Sequence, residues 1–425
     1  VPMKICMFVR NPVSQDPRVQ REALALVQAG HQVTVIGQAA PGHRAHEVWQ
    51  GVAIQRLPRL GGRLRARAQD LGQRLGRRVP PRPPENAPET APPGLAREAT
   101  PSAGLRERVR VEAAEAGYLL QAVAAGLACR AAAYHAHDLD TLEVARLCAR
   151  LGRARLVYDS HELWVEWKET KGRLPAWRIA RWRTQEVRGT AAADLVITVS
   201  DGIADELVRL YGIPRPLVVR NCPPLTPHEP GDGLRRRLGG DPRRPIVLYQ
   251  GGFHTGRGLL ELVAAAEELP DVDFVLVGGD SPFRQEVAAR AQGRANVFLL
   301  PHLPLAELPA LTASASLGVV LTQPVCRSYA LSLGNKVFEY LMAGLPVVAS
   351  DIASHAALAA ETGVLAVCDP TSPAAIAAAI RSLLQDERRR QQLGAEARRW
   401  AETKYNAAPE MARLVAGYAA LADHG

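Results

Sequence analysis

The sequence has little of several features that would assign a chain to a structural class at once. Aromatic residues make up 5% of its 425 residues, and its six cysteines lie far apart with no Cys-x-x-Cys pair. This cysteine usage fits a reducing compartment, in which most cysteines act as small buried packing residues. No apolar run approaches the ~20 residues of a membrane span, and Lys4–Val9 is too short for the apolar region of a signal peptide. We therefore expect a cytoplasmic protein.

Positive charge is concentrated in one part of the chain. The net charge is +9, from 52 basic and 43 acidic residues. The stretch Leu57–Arg110 alone holds twelve arginines and five acids, a net of +7, so the rest is nearly neutral. No aromatic residue interleaves these arginines and no nucleic-acid-binding fold is recognisable. A nucleic acid is therefore not expected as a partner.

The basic stretch overlaps an unusual segment, Pro58–Ser102. Its centre, PPRPPENAPETAPPG, cannot form a packed core and is predicted to be a loop inserted in the first domain. Before it, Arg59–Arg78 has the pattern of a cationic amphipathic helix. Leucines recur at helical spacing on one face of this stretch, at Leu60, Leu64, Leu71 and Leu75. Such a helix is typical of an anionic membrane surface or partner. The alternative is a poorly ordered insertion whose arginines reflect a GC-rich genome.

Short apolar strands alternate with amphipathic helices along the whole chain, which indicates parallel sheets covered on both faces. In the first half, strands are predicted at Lys4–Val9, Gln32–Ile36, Val52–Leu57, Ala133–Ala136, Leu156–Tyr158 and Leu195–Val199. The pattern then starts again, with strands at Ile246–Tyr249, Asp273–Val277, Val297–Leu300, Leu317–Leu321 and Pro346–Ala349. The predicted fold is α/β, with two doubly wound Rossmann-like domains facing across a cleft. Such sheets bind ligands outside the carboxyl ends of their strands.

Domain boundaries follow from the prolines and charged residues between the two halves. The run Val219–Pro224 and the polar stretch after it mark a linker. We predict an N-terminal domain over residues 1–221, which carries the insertion, and a C-terminal domain over residues 222–403. Residues 404–425 are predicted to form a helix that packs back toward the first domain.

The most informative segment is LSLGNKVFEYLMAGLPVVASD, at Leu331–Asp351. Gly334, Asn335 and Lys336 fall where a helix begins, so backbone N–H groups and a lysine converge there and form a cradle for a phosphate. Glu339, about one turn further on, is an acceptor-only carboxylate that could hold sugar hydroxyls such as those of a ribose. The alternative is a helix packed on a strand, with Lys336 and Glu339 merely exposed.

A second segment, YQGGFHTGRG, follows the first strand of the second half. Gly251 and Gly252 allow the backbone to approach a ligand closely, and Arg257 supplies a fork of donors suited to a diphosphate. The strand at Val275–Val277 also ends in glycines, of which Gly278 is the first. On its own a Gly-rich turn is a weak signal, and its spacing before the NKVFEY segment strengthens it.

Together these motifs resemble the donor-binding half of the group 1, family 4-like glycosyltransferases, which are retaining nucleotide-sugar enzymes of GT-B fold. Two glutamates eight residues apart flank the family's segment. Glu339 matches the second, which usually holds the ribose, whereas Leu331 stands at the first, which usually touches the sugar. Arg257 matches the basic residue that grips the donor phosphates. A second family arginine is replaced by Gly252, and Lys336 is expected to compensate.

The resemblance also assigns roles to other loops. The stretch with His302 and Leu303 resembles the part that borders the base. The family often has a histidine near the acceptor at the place of His161, which follows a predicted strand. The family has glycines after the first strand, and this chain has none there. The expected acceptor side comprises Ser14, His137, Asp138, His161 and Glu162.

No metal is expected. Strand alternation puts His135 and His137 on one face and Asp138 on the other, without a clear third ligand. Asp138 and Asp140 superficially match the D-x-D motif of metal-dependent transferases, which belongs to a different fold. The diphosphate leaving group would be stabilised by Arg257, Lys336 and backbone N–H groups, with His161 as the further catalytic candidate.

The resemblance implies transfer of a hexose-type sugar from a UDP-, GDP- or dTDP-linked donor, with retention and without a cofactor. The acceptor would be a lipid-linked or oligosaccharide compound, in polysaccharide, glycolipid or natural-product synthesis, with peripheral binding at the inner face of a membrane. Two alternatives stay open. A nucleotide-sugar epimerase would need paired carboxylates, which the predicted cleft segments lack. A catalytically inactive sugar-nucleotide-binding subunit is suggested by Leu331.

Overall fold

The computed structural model describes residues 2–14, 16–59, 101–170, 174–227, 231–239, 241, 243–304 and 307–423. Apart from Arg59, the predicted helix Arg59–Arg78 lies outside the described residues, as does the proline-rich centre of the insertion. The chain folds into two compact units. The first comprises Val1–Asp159, Arg181–Val196 and Val415–Gly425, and the second comprises Ser160–Ala180 and Ile197–Leu414.

Eight strands form the first sheet. They are β1 (Lys4–Phe8), β2 (Gln32–Gln38), β3 (His46–Trp49), β4 (Val52–Leu57), β5 (Ala133–His137), β6 (Arg155–Ser160), β7 (Leu195–Thr198) and β8 (Leu217–Val218). Their order is β3-β4-β2-β1-β5-β6-β7-β8. β1 pairs in parallel with β2 and β5, and the edge strand β3 pairs with β4 antiparallel. The strand order reverses between β1 and β5, and this is where a doubly wound sheet opens a ligand crevice.

Six described helices lie between these strands. They are α1 (Pro17–Gln28), α2 (Pro101–Ala128), α3 (Leu139–Gly152), α4 (Trp164–Glu169), α5 (Ala176–Ala192) and α6 (Asp201–Tyr211). The start of α1 illustrates the local cause. The side chain of Asp16 accepts a hydrogen bond from the N–H of Val19, and Pro17 occupies the first helical position. Both features favour a helix start.

Six strands form the second sheet, and each pairs in parallel with its neighbours in the described part of the chain. They are β9 (Ile246–Gln250), β10 (Asp273–Val277), β11 (Val297–Leu300), β12 (Leu317–Val320), β13 (Val347–Ser350) and β14 (Leu365–Cys368). The order is β11-β10-β9-β12-β13-β14, so it reverses between β9 and β12. This second reversal marks the carboxyl ends of β9 and β12 as the place for a ligand.

Ten further helices follow β8 in the described part of the chain. They are α7 (Gly233–Leu238), α8 (Leu259–Ala265), α9 (Pro282–Ala291), α10 (Leu308–Thr312), α11 (Arg327–Leu331), α12 (Asn335–Met342), α13 (Ala353–Thr362), α14 (Pro373–Leu384), α15 (Glu387–Thr403) and α16 (Ala407–Asp423). A short 3₁₀ turn follows α8 at Ala266–Glu268.

Apolar side chains cover both faces of the second sheet. Along β9, Ile246 and Leu248 belong to one buried cluster, and Val247 and Tyr249 belong to another. Two buried faces are what a parallel sheet between helices requires. The predicted α/β class with two Rossmann-like sheets is therefore confirmed. No helix in the described ranges is long and apolar enough to cross a membrane.

Candidate functional site

The start of α12 lies where the sequence predicts it. Gly334 has an extended backbone (φ −67°, ψ 144°), and the helix begins at Asn335. The first N–H groups of a helix have no partner within the helix, and no described side chain caps this one. The apolar residues of α12 are buried in the core, so Lys336 and Glu339 remain on its partly exposed side. The helix start therefore presents donors and a lysine on one side.

Lys336 and Glu339 form an ion pair one turn apart on α12. The Lys336 Nζ lies 2.8 and 3.0 Å from the two carboxylate oxygens of Glu339. Their side chains are 33% and 28% exposed. Glu339 also accepts a hydrogen bond of 2.6 Å from the side-chain amide of Gln250. A cation and a carboxylate are thus held side by side at the end of β9, with solvent access to both.

Tyr340 fixes α12 against β9. Its hydroxyl donates to the carbonyl of Leu248 and accepts from the N–H of Gln250, both at 3.0 Å. The ring lies on Gly318 of β12, where a Cβ atom would come within 2.3 Å of the ring. Glycine at position 318 therefore allows the Tyr340 ring, and with it α12, to pack closely against β12.

The loop after β9 passes next to Lys336. A Cβ atom built on Gly251 would lie 3.9 Å from the Lys336 Cε, and one on Gly278 would lie 2.1 Å from the Gly251 carbonyl oxygen. The structure therefore brings Gly251, Gly278 and Lys336 together at the carboxyl ends of β9 and β10. Gly252 is exposed in the same loop, and its carbonyl accepts from the Tyr249 hydroxyl at 2.7 Å.

Arg257 lies further along this loop. Its guanidinium carbon is 4.8 Å from the centre of the Tyr329 ring, and its Nη1 is 3.4 Å from the Thr322 hydroxyl. Burial raises the pKa of Tyr249 to about 12, although the charge of Arg257 acts in the opposite direction. Arg257 is half-buried, and these contacts hold its positive charge near Thr322 and Tyr329, which follow β12 in the sequence.

In the first unit, a buried polar cluster lies at the reversal between β1 and β5. Arg18 donates to both oxygens of Asp159 at 2.7 and 2.8 Å, and its Nε lies 3.0 Å from Glu22. His137 lies 3.2 Å from Asp159, and the rings of His135 and His137 stack at 4.2 Å. The predicted alternation of the two histidines is therefore confirmed. The sequence motifs did not indicate that Arg18, Glu22 and Asp159 meet, because these residues come from distant segments.

The same cluster offers metal-type ligands. Ligand atoms of Glu22, His135, His137 and Asp159 lie within 4.8 Å of one another. Arg18 already lies against both carboxylates. Burial would lower its pKa, but the carboxylates of Asp159 and Glu22 outweigh that effect and raise it. The protein thus supplies its own cation here, and this charge disfavours a second cation in the same place.

The loops on the predicted acceptor side differ in accessibility. Ser14 is exposed and lies 2.7 Å from His43, whereas His137 is only 1% exposed. Asp138 has a positive φ of 64° and starts α3. His161 and Glu162 follow β6 and are half-buried, and the Glu162 carbonyl accepts from Ser160 at 3.0 Å.

Val13 adopts a backbone conformation that glycine prefers. Its φ is 70° and its side chain is buried. For a β-branched residue this backbone conformation is a true outlier. It lies in the loop after β1, where the resemblance leads one to expect glycines. The loop therefore keeps a glycine-like turn without a glycine.

Two family models match the chain. Glycosyltransferase Family 4 matches residues 75–226, and Glycosyl transferases group 1 matches residues 244–386. This chain belongs to the group 1 glycosyltransferases. The resemblance inferred from its motifs is confirmed.

Relatives of this chain carry several names. The alpha-maltose-1-phosphate synthase of Mycolicibacterium smegmatis is 33% identical over 245 residues, which is 52% of this chain and 61% of that protein. The chain thus spans about three fifths of the length of that relative. A GDP-mannose-dependent alpha-(1-6)-phosphatidylinositol monomannoside mannosyltransferase of the same organism is 29% identical over 65% of this chain and 76% of its own.

Solved structures share the fold of this chain. Sucrose-phosphate synthase from Thermosynechococcus elongatus superimposes with a TM-score of 0.72 at 19% identity, over 100% of both chains. Anabaena HepE, solved in complex with UDP, does so with a TM-score of 0.67 at 15% identity, over 98% of this chain and 100% of its own. At these identities the likeness shows the GT-B architecture alone.

Leu331 stands where the family's first glutamate is expected. It is 8% exposed, and a Cβ atom on Gly202 would lie 3.2 Å from its Cδ2. Its carbonyl accepts from the hydroxyls of Ser200 at 2.9 Å and Ser354 at 3.1 Å. The Leu331 side chain is therefore a packing residue, and its backbone carbonyl is held by the two serine hydroxyls.

The residues expected near the base separate into two environments. His302 is exposed just after β11, and Leu303 is buried in the core. Among the described residues, no hydrogen bond or ring contact joins His302 to Lys336 or Glu339. A contact from Leu303 to a ligand would therefore involve its backbone.

Proposed function

We propose that the protein transfers a sugar from a nucleotide diphosphate donor to an acceptor. The observation that carries this proposal is the pairing of Lys336 with Glu339 at the start of α12, beside Gly251. A lysine and N–H groups at a helix start suit a phosphate, and a carboxylate nearby suits the two hydroxyls of a ribose. The site lies at the carboxyl ends of β9 and β10, where open parallel sheets bind ligands.

The proposed chemistry is stabilisation of the leaving diphosphate. When the bond between the anomeric carbon and the phosphate oxygen breaks, negative charge grows on the diphosphate. Arg257, Lys336 and the N–H groups that begin α12 would stabilise this charge, so the reaction would need no metal. Retention of stereochemistry is the outcome that family membership favours. The candidate for contact with the acceptor is His161, after β6.

The relatives suggest the classes of donor and acceptor. One relative is named as GDP-mannose-dependent, and Anabaena HepE was solved with UDP and with UDP-glucose. We therefore propose a UDP-, GDP- or dTDP-linked hexose as the donor. Sugars or polyols bearing a phosphate occur in the names of the maltose-1-phosphate synthase and of a D-inositol 3-phosphate glycosyltransferase. Phosphorylated sugars and polyols should therefore stand beside lipid-linked and oligosaccharide acceptors in an acceptor panel.

The direct test incubates the protein with a panel of nucleotide sugars and acceptors and measures release of nucleoside diphosphate and the glycosylated product. We expect one donor to give product with an acceptor. Conversion of the donor sugar without release of nucleotide would indicate an epimerase instead. Binding without turnover over the whole panel would indicate an inactive binding subunit.

Glu339→Ala tests the ribose role in the same assay. Loss of a charged hydrogen-bond acceptor should raise the donor KM about tenfold or more and lower turnover, while circular dichroism should still show a folded protein. The matched control is Glu286→Ala, since Glu286 is exposed on α9. Activity of Glu339→Ala within twofold of the parent would contradict the role.

We also propose that the basic stretch Leu57–Arg110 attaches the protein to an anionic membrane surface. The support is its net charge of +7 in a chain of +9. Each basic residue near such a surface contributes ~1 kcal/mol, and salt screens the attraction. Co-sedimentation with anionic vesicles at low and high salt, for the parent and for a form lacking residues 60–100, tests it. Equal sedimentation of both forms would contradict the proposal.

A further inference from the structure

Gln250 carries a buried side-chain amide that contacts Glu339 of the proposed donor site. It is the last residue of β9 and is 3% exposed. Its Nε2 lies 2.6 Å from the Glu339 carboxylate, and its Oε1 lies 2.8 Å from the hydroxyl of Thr312. Thr312, the last residue of α10, is 2% exposed. A buried side chain therefore connects the partly exposed Glu339 to the interior.

The chemistry of the contacts fixes which way the amide faces. An ionised carboxylate only accepts hydrogen bonds, so the NH₂ side of Gln250 must face Glu339. The oxygen side then faces Thr312, whose hydroxyl can donate. That hydroxyl also lies 2.7 Å from the carbonyl of Leu308, so its proton is shared between two acceptors. The hydrogen bonds therefore run in one direction: Thr312 donates to Gln250, and Gln250 donates to Glu339.

The backbone of Gln250 is held as firmly as its side chain. It pairs with Val277 in the β9–β10 ladder, and its N–H donates to Tyr340 at 3.0 Å. Lys336, by contrast, has a flexible stem and is one-third exposed. Two described side chains hold the Glu339 carboxylate, and of these Gln250 is the rigidly placed one.

We propose that Gln250 is a positioning residue that holds Glu339 in the orientation that binds the ribose hydroxyls of the donor. This inference rests on the proposed function. The amide occupies Oε2 of Glu339 from the interior side. When a diphosphate draws Lys336 away, the carboxylate keeps its orientation, because a neutral rigid donor still holds it. Lys336 can therefore move to the phosphates while Gln250 keeps Glu339 oriented toward the ribose.

The test measures ribose preference rather than activity. UDP and GDP, each with its 2′,3′-dideoxy counterpart, are titrated by calorimetry into the parent, Gln250→Met and Thr312→Val. We expect the parent to bind the ribonucleotide about tenfold or more tightly than the dideoxy form, the factor for a charged hydrogen bond. Gln250→Met should lose most of this preference through weaker ribonucleotide binding, while dideoxynucleotide binding stays within twofold. Thr312→Val should lose part of the preference.

The control is Gln285→Met, because Gln285 is exposed on α9. It should keep the full preference. Gln250→Met binding with the parent's preference, or losing affinity for both nucleotide forms equally, overturns the positioning role. If Gln250→Met does not fold by circular dichroism, Thr312→Val decides, and an unchanged preference there overturns the role.

Failure of the proposed function itself looks different. In that case the parent binds none of UDP, GDP and dTDP. A parent that binds both forms of a nucleotide equally would overturn the ribose role of Glu339 and, with it, that of Gln250.

Discussion

The guanidinium of Arg18 is bound by both oxygens of the Asp159 carboxylate, at 2.7 and 2.8 Å, across 141 residues of sequence. Both side chains are almost fully buried. The pair joins α1 to the end of β6, two residues before His161. Geometry of this bidentate kind gives both strength and a defined orientation. The first unit therefore contains a buried charge pair that contacts His137, one of the predicted acceptor-side residues.

We predict that Arg18→Met destabilises the protein by about 3–5 kcal/mol, because it leaves the buried carboxylates of Asp159 and Glu22 without their cation. Adding Asp159→Asn to this variant should recover part of the loss. Urea unfolding of the two single variants and the double variant measures the coupling. Strictly additive effects would contradict the pairing.

The control for this cycle is Arg236→Met. Arg236 pairs with Asp232 on the surface, where the two side chains are 75% and 61% exposed. Exposed pairs contribute at most about 1 kcal/mol. We expect this variant to unfold within about 0.5 kcal/mol of the parent.

A second prediction concerns the backbone conformation of Val13. Left-handed backbone costs a non-glycine residue about 1–2 kcal/mol, whereas burying a valine side chain contributes about 1.5–3 kcal/mol. Val13→Ala loses the burial and keeps the strain, so we expect destabilisation by about 1–2 kcal/mol. Val13→Gly also removes the strain, so it should be no less stable than Val13→Ala by chemical denaturation.

Val35 gives the matched comparison for Val13. It is fully buried in β2 and is not among the described residues with positive φ. There glycine should be less stable than alanine by about 0.5–1 kcal/mol. The same ordering at both positions would show that the Val13 turn stores no strain.

The third prediction is a pH dependence of stability through His355. This residue of α13 is fully buried, and its Nδ1 lies 3.2 Å from the Ser350 carbonyl. Burial lowers its pKa to about 4, below the 6.5 of a free histidine. The unfolded chain therefore takes up a proton before the folded chain does. The stability is fully present above pH 6.5 and is lost as the pH falls toward 4.

Unfolding free energies at pH 7 and pH 4.5 measure this effect. His355→Gln should lower the drop in stability between these values by about 2 kcal/mol relative to the parent. His46→Gln, at an exposed residue of β3, is the control. An equal drop in the parent and in His355→Gln would rule out the assignment.

The fourth prediction follows from the positive groups around the proposed diphosphate site. Transferase activity should survive exhaustive EDTA treatment, because Arg257, Lys336 and helix N–H groups stabilise the leaving group. Arg257→Met and Lys336→Met should each lower turnover by about tenfold to a thousandfold. Complete loss with EDTA, restored by Mg²⁺ or Mn²⁺, would reject this scheme.

The sequence predicts local features well, because they depend on neighbouring residues. The start of α12 at Asn335, after Gly334, follows from a glycine before an amphipathic run. The strands β9, β10 and β11 follow from short apolar runs between turns. By contrast, the edge strand His46–Trp49 was missed, because its residues are mostly exposed and lack an apolar face.

Contacts between distant segments could not be predicted in the same way. Gln250 and Glu339 are 89 residues apart, and no periodicity in either segment indicates that they meet. The motif identified Glu339, whereas Gln250 was seen only as part of a Gly-rich turn. Similarly, His135 and His137 indicated a polar strand end, but Arg18 and Glu22 came from a helix that the pattern described only as amphipathic.

The end of the chain has a consequence for synthesis on the ribosome. The hydroxyl of Tyr418 lies 2.8 Å from the Nδ1 of His135, and Val415–Gly425 belongs to the first unit. Residues 197–414 must therefore be translated before that unit is complete. At about 5–20 residues per second this takes roughly 10–45 s. During that interval the buried polar cluster around Arg18 and His135 lacks Tyr418. A chaperone that binds the nascent chain would therefore encounter the first unit in an incomplete state.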